Sequence, residues 1–246
     1  MPRRALPARL SAGAIALAIA LTGCTAPRSN ATATPTATPT PTTVPTVAPS
    51  GDGTLTIGTL FPMTGAAAAS GAAQVAGSEL AVREIAGQGG VLGKALTVVH
   101  RDSAGNAAAA LAELVGRHVD VVLWDVAGPV PKDVAASAAD AHVALVPLGD
   151  FVHGGTPLAA DAAFSARLRT ADPGVTKFAG GAEAYDGVVL AALAATVAAD
   201  DGGPSVNSRL AVVASGPTAC TSWGECLAAL ADKQQIGYLG VTGHRS

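Results

Sequence analysis

The chain has 246 residues and a formal net charge of −3, with 49% of its residues apolar, 13% charged and 3% aromatic. It carries no basic stripe and few rings on which bases could stack, which excludes a nucleic-acid binder. Much of the apolar content is alanine, a good helix former that contributes little core volume.

The first element precedes the fold. Arg3, Arg4 and Arg9 lead into an apolar run over residues 10–21. That run is shorter than the ~20 residues a membrane-spanning helix needs. A basic start, a short apolar middle and small residues at its end describe an export signal over residues 1–23. The signal ends in Leu21-Thr22-Gly23-Cys24, which resembles the bacterial lipobox. In that motif the cysteine takes a diacylglyceryl group and becomes the new N-terminus. The resemblance implies an exported protein, lipid-anchored through Cys24 at the outer face of the cytoplasmic membrane; a buried or incidental thiol is the alternative. Each buried CH₂ is worth ~0.8 kcal/mol and a single acyl chain is marginal, so stable anchoring calls for two or more chains. Losing Arg3, Arg4 and Arg9 leaves 12 basic against 18 acidic side chains, net −6.

Residues 24–53 read as a Thr/Pro-rich linker. Repeated prolines and the lack of large apolar side chains predict an extended, solvated segment. At ~3.1 Å per residue it would reach up to ~80 Å, enough to lift a domain off the membrane and through part of a cell wall. Asn30-Ala31-Thr32 matches a glycosylation sequon, which carries no information in a bacterial lipobox context.

The globular part starts at Thr54. A buried strand is expected over 54–61, followed by the turn Pro62-Met63-Thr64-Gly65. A helix over 70–90 places Val75, Leu80, Val82 and Ile85 near one face and stops in glycines. Then come a strand (95–102), a helix (106–117), a strand (119–127), a helix (130–141, with Pro131 tolerated in its first turn) and a strand (142–149). Alternating helices and two-sided apolar strands predict an α/β fold: a three-layer sandwich with a parallel sheet covered on both faces. Such sheets bind ligands at the carboxyl ends of their strands. Those ends are the 62–65 turn and the loops beginning near Arg101, Asp125 and Pro147. From residue 150 helices dominate: 159–174, 182–200 and 204–215. A cysteine loop, a short helix from Cys226 and a strand or extended tail from Ile236 close the chain.

Cys220 and Cys226 are left as a pair once Cys24 is set aside. In an exported protein such a pair can bridge, and a short disulfide loop is expected; two free thiols are the alternative. Two ligands this close with no partner pair elsewhere do not make a metal site.

Two stretches resemble a known family. Residues 57–106, with the turn, "GGVLGK" and "RDSAGN", are similar to the N-terminus of type I periplasmic binding proteins, in the leucine/isoleucine/valine-binding branch that feeds ABC importers. "TADPGVTKFAGGAEAYDGVVLAALAA" and "CTSWGECLAALADKQQIGYLGVTG" are similar to the C-terminal part of the same group in its lipoprotein form. The family fold is a two-lobed clamp that traps a ligand between strand–helix sandwiches. The resemblance implies that this chain lacks most of the second lobe. The first lobe is then built from 54–149 and a late segment, 150–212, and the cystine loop and tail, 213–246, have lost their partner sheet. It implies a non-enzymatic solute-binding protein with no cofactor. Its partners would be a branched-chain amino acid or related amino-acid or amide solute, an ABC permease, and the membrane through the lipid. A shortened surface lipoprotein with a sensory or protein-contact role, or a remnant without function, is the alternative. Carried over by position, the candidate ligand contacts are Thr64 and Ser70 after the first strand and Asp125 and Ala127 after the third. The third-strand loop lacks the serine usual in the family, and Pro147-Leu148-Gly149-Asp150 lacks the usual threonine. An acid at 125 or 150 would repel a ligand carboxylate.

No enzymatic constellation stands out. Gln88 and Ala95 break the phosphate-loop pattern around Gly93-Lys94, and there is no G-x-S-x-G elbow. His100, His118, His142, His153 and His244 show no ligand spacing and are expected at the surface or at strand ends. Asp102 and Asp125 could pair at the strand ends, but solvated or capping roles are the plainer expectation. Trp124 is expected in the core.

Overall fold

The computed structural model describes residues 47–126, 129–151 and 161–243. Cys24, the export signal, most of the linker, Ala127, His153 and His244 lie outside the described residues.

Strands β1 (Thr56–Phe61), β2 (Thr97–Asp102), β3 (Val121–Trp124) and β4 (Ala144–Pro147) form one sheet in the order β2-β1-β3-β4. All of its pairings are parallel, with Ile57 beside Val98 and Val121, and Val122 beside Leu145. Between them run α1 (Ala68–Gly87), α2 (Ala107–Val115) and α3 (Lys132–Asp140). Every residue of β3 is buried, as a strand covered on both faces requires. Alternate residues separate the two cores. Leu60, Val122 and Trp124 pack with Leu111 and Leu114 of α2 and Val134 of α3. Ile57, Phe61, Val121 and Leu123 face the larger cluster, which contains α1. This is the expected α/β sandwich.

After β4 a 3-10 turn (Leu148–Phe151) ends the first run, and α4 (Ala162–Ala171), α5 (Gly181–Ala198) and α6 (Gly203–Ser215) follow. Asn106 and Asp161 cap α2 and α4 by accepting from Ala109 N and Phe164 N, which satisfies donors the first turn leaves open. Helix α5 is long and apolar enough to cross a membrane, but most of it is buried between α1, α6 and the sheet. A helix that is apolar all round is a core helix in that setting. It reaches α1 closely because two glycines meet: a Cβ on Gly77 would stand 2.0 Å from Gly181 O. Glu84 of α1 joins the neighbouring helices. It accepts two bonds from Arg167 Nη2 (2.8 and 2.9 Å) and one from Tyr185 Oη (2.6 Å). Burial, with the Glu84 bond next, raises the Tyr185 pKa, so its hydroxyl remains a donor.

The end of the chain differs from expectation. β5 (Thr218–Cys220) and β6 (Ile236–Tyr238) form a second, two-stranded parallel sheet, with α7 (Trp223–Ala231) as the crossover. The tail therefore supplies its own sheet, and β6 packs on α6. Cys220 and Cys226 are disulfide-bonded, and with Trp223 and Tyr238 they belong to the main core. Ser222 caps α7 at Glu225 N, and Glu225 reaches back to Thr221 N and Oγ1, a reciprocal arrangement that fixes the loop. The expected boundary between 212 and 213 falls inside α6.

Candidate functional site

The strand order reverses between β1 and β3, so the chain leaves the sheet in opposite directions there. In open α/β sheets this crevice, at the carboxyl ends of the strands, is where ligands sit. Here it is bordered by the turn after β1, the start of α1, the end of β3 and the loop into α5.

Thr64 is exposed on the turn. Its hydroxyl donates to Asp102 Oδ2 at 2.5 Å, while Asp102 Oδ1 accepts Met63 N and Ala104 N, each at 2.9 Å. The Thr64 bond first, then the backbone bond from Ala104, holds the Asp102 pKa below the ordinary carboxylate value. Asp102 thus ties the turn to the end of β2, and Thr64 is positioned by it.

Ser70 stands half-buried near the start of α1 and donates to Ala179 O at 3.2 Å. One turn on, Gln74 Nε2 donates to Asp125 Oδ2 at 2.6 Å. Asp125 directly follows β3, and its N–H bonds Leu60 O across to β1. The loop into α5 closes this corner with backbone alone. Gly180 takes φ +88°, and a Cβ there would lie 2.9 Å from Gln74 Cγ and 3.1 Å from Ser70 Oγ. A larger residue would be strained by that φ and would displace both side chains.

Ser70 and Asp125 therefore border one corner, where Gln74 bonds Asp125 and Gly180 lies against both Gln74 and Ser70, and Thr64 stands on the neighbouring turn. Gln74 went unnoticed in the sequence. Its only signal there is a polar side chain among the alanines and glycines of the buried face of α1. Asp102 and Asp125 take different partners rather than pairing. Asp150 lies in the 3-10 turn after β4. Trp124 is buried. His100 is half-buried within β2: its Nδ1 shares a 2.8 Å bond with Thr59 Oγ1, and its Nε2 lies 3.2 Å from Glu79 Oε1. Thr59 is fully buried, so this chain of bonds satisfies a core hydroxyl. Among the described residues no cluster of His, Cys, Asp and Glu could hold a metal ion. A cavity of ≈ 560 Å³ lies away from the crevice, against the free edge of β4, where Leu145, His142, Pro204 and Asn207 line it.

A family model described as periplasmic binding protein matches residues 54–180. Among solved structures, the chain is similar to the branched-chain amino acid transporter substrate binding protein of Streptococcus pneumoniae, solved in complex with isoleucine. The two are 34% identical over 39% of this chain and 28% of that one, with a TM-score of 0.32. It is also similar to a substrate-binding periplasmic protein of Ralstonia solanacearum (20% identity, 44% and 34% covered, TM-score 0.34). A third is a fatty acid ABC transporter substrate-binding protein of Thermomonospora curvata (22% identity, 42% and 26% covered, TM-score 0.33). The chain thus spans between 26% and 34% of the length of the solved proteins it matches. A comparison with curated proteins gave no match.

Proposed function

The chain belongs to the periplasmic binding protein family, and from that premise we propose that it is a lipid-anchored, extracytoplasmic solute-binding protein of an ABC importer. Its solute is a branched-chain amino acid or a related amino-acid or amide compound. The observation that carries this reading is the reach of the family match. Residues 54–180 include all of β1 to β4 and the corner formed by Thr64, Ser70, Gln74, Asp125 and Gly180. The similarity of "PMTG", "GGVLGK" and "AEAYDG" to the leucine/isoleucine/valine-binding branch supports the solute class. "LTGC" at residues 21–24 supports the anchor, with Cys24 as the lipid-bearing residue. An ABC permease is the partner that would accept the solute.

Binding of this kind requires that the folded chain be stabilised by its solute. A ligand at ~100 times its Kd adds ~2.7 kcal/mol to the folded state. Thermal unfolding of the purified chain with a panel of amino acids and amides should show a raised midpoint for one solute class. A cooperative transition that no solute shifts would contradict the proposal.

A further inference from the structure

The side-chain atoms left unpaired at the inner corner of the crevice are chiefly acceptors. Gln74 is 3% exposed, and its Nε2 is committed to Asp125 Oδ2 at 2.6 Å. Its Oε1 is buried and has no hydrogen-bond partner among the described residues. Reversing the amide would set oxygen against carboxylate, so the orientation is fixed by Asp125. The two nearby hydroxyls have spent their protons: Thr64 Oγ1 donates to Asp102, and Ser70 Oγ donates to Ala179 O. Each keeps only lone pairs for a ligand. Asp125 is half-exposed at the mouth of the corner and, as a carboxylate, can only accept. Buried acceptors without partners are few in folded proteins, and each calls for a reason.

We infer that the Gln74–Asp125 pair is a subsite for a nitrogen donor of the solute, a protonated primary amine or a primary amide. Its N–H groups satisfy Gln74 Oε1 and the Asp125 carboxylate. A solute carboxylate in the same place would meet the like charge of Asp125 and the lone pairs of Gln74 Oε1, Thr64 Oγ1 and Ser70 Oγ. This inference rests on the solute-binding reading above and adds which end of the solute this corner holds.

The test uses four probes built on one branched carbon chain: leucine, isoamylamine, 4-methylpentanamide and 4-methylpentanoate. Each is titrated calorimetrically into the purified full chain and into its Asp125→Asn and Gln74→Leu variants. The side-chain oxygen that Asp125→Asn retains can still accept from Gln74 Nε2, so that variant keeps the local bond. Unfolding midpoints report whether either variant is misfolded. The three nitrogen-bearing probes should bind, and the acid should bind at least about tenfold more weakly. Each substitution should weaken isoamylamine by roughly ten- to a hundredfold, the range for a hydrogen bond to a charged group. If 4-methylpentanoate matches leucine, or Asp125→Asn leaves isoamylamine unaffected, the inference is wrong and solute binding stands. If none of the four binds, the branched-chain reading fails and takes the inference with it.

Discussion

Tyr238 Oη donates to Asp186 Oδ1 at 2.7 Å, and both side chains are buried. The same carboxylate accepts Val241 N (2.9 Å), Thr242 N (2.8 Å) and Thr242 Oγ1 (2.6 Å). One side chain on α5 therefore holds the chain from β6 to Thr242 against the main core. Removing it leaves buried donors without a partner, each costing about 1–3 kcal/mol. Asp186→Ala should lower the unfolding free energy by about 3–5 kcal/mol, read as a shift of the urea midpoint at unchanged slope. A loss below about 1 kcal/mol would mean that the tail is held by apolar packing alone.

Stability should also depend on Asp120. This half-buried carboxyl sits just before β3 and accepts Thr56 N at 2.8 Å. Its pKa is raised to about 7, mainly by burial, with Asp201, Asp52 and Asp200 adding repulsion. In the unfolded chain its pKa is about 3.9. Between these values the folded state binds more protons than the unfolded one, so stability falls as pH rises from about 4 to about 7. Solvent screening of a half-exposed group reduces the effect to the order of 1–2 kcal/mol. Urea midpoints measured across this range should show that fall, and Asp120→Asn should flatten it. The same slope in the variant would assign the dependence to another group.

The disulfide joins residues six apart in sequence. Closing a loop this short restricts the unfolded chain by about 2 kcal/mol in the chain-entropy account. Cys220→Ser with Cys226→Ser should cost that much, measured by urea unfolding, and the double variant should be insensitive to reductant. Equal stability of the two proteins would show that the α7 cap suffices to hold the loop.

The main sheet was legible because its signals are local. "TIGTLF" and "VVLW" are short apolar runs bounded by turn residues, α1 runs into glycines, and α2 carries the Asn106 cap and a glycine stop. The second sheet was legible only at its last strand, since a strand or extended tail was expected from Ile236, where β6 begins, while β5 and the pairing were not. β5 and β6 span three residues each, too few to show a period. The candidate site was legible only in part. Thr64, Ser70 and Asp125 were reached through the family resemblance, which points to positions at strand and helix ends. Gln74 and Asp186 acquire their roles from partners 51 and 52–56 residues away in sequence, so nothing beside them in the chain announces those roles.

The proposed lipid anchor has a direct chemical test. Cells expressing the chain and grown with labelled palmitate should yield a labelled protein, and Cys24→Ala should abolish the label. Label retained in the variant would rule out Cys24 as the attachment point.

The most direct test of solute binding in the crevice is a ¹H–¹⁵N correlation spectrum of the labelled chain during titration with leucine. The account predicts saturable shifts concentrated at Met63–Ser70, Gln74, Asp125 and Ala179–Gly181, around the switch between β1 and β3. Shifts centred instead on Leu145, Asn207 and their neighbours at the β4 edge, or a spectrum that leucine does not change, would contradict it.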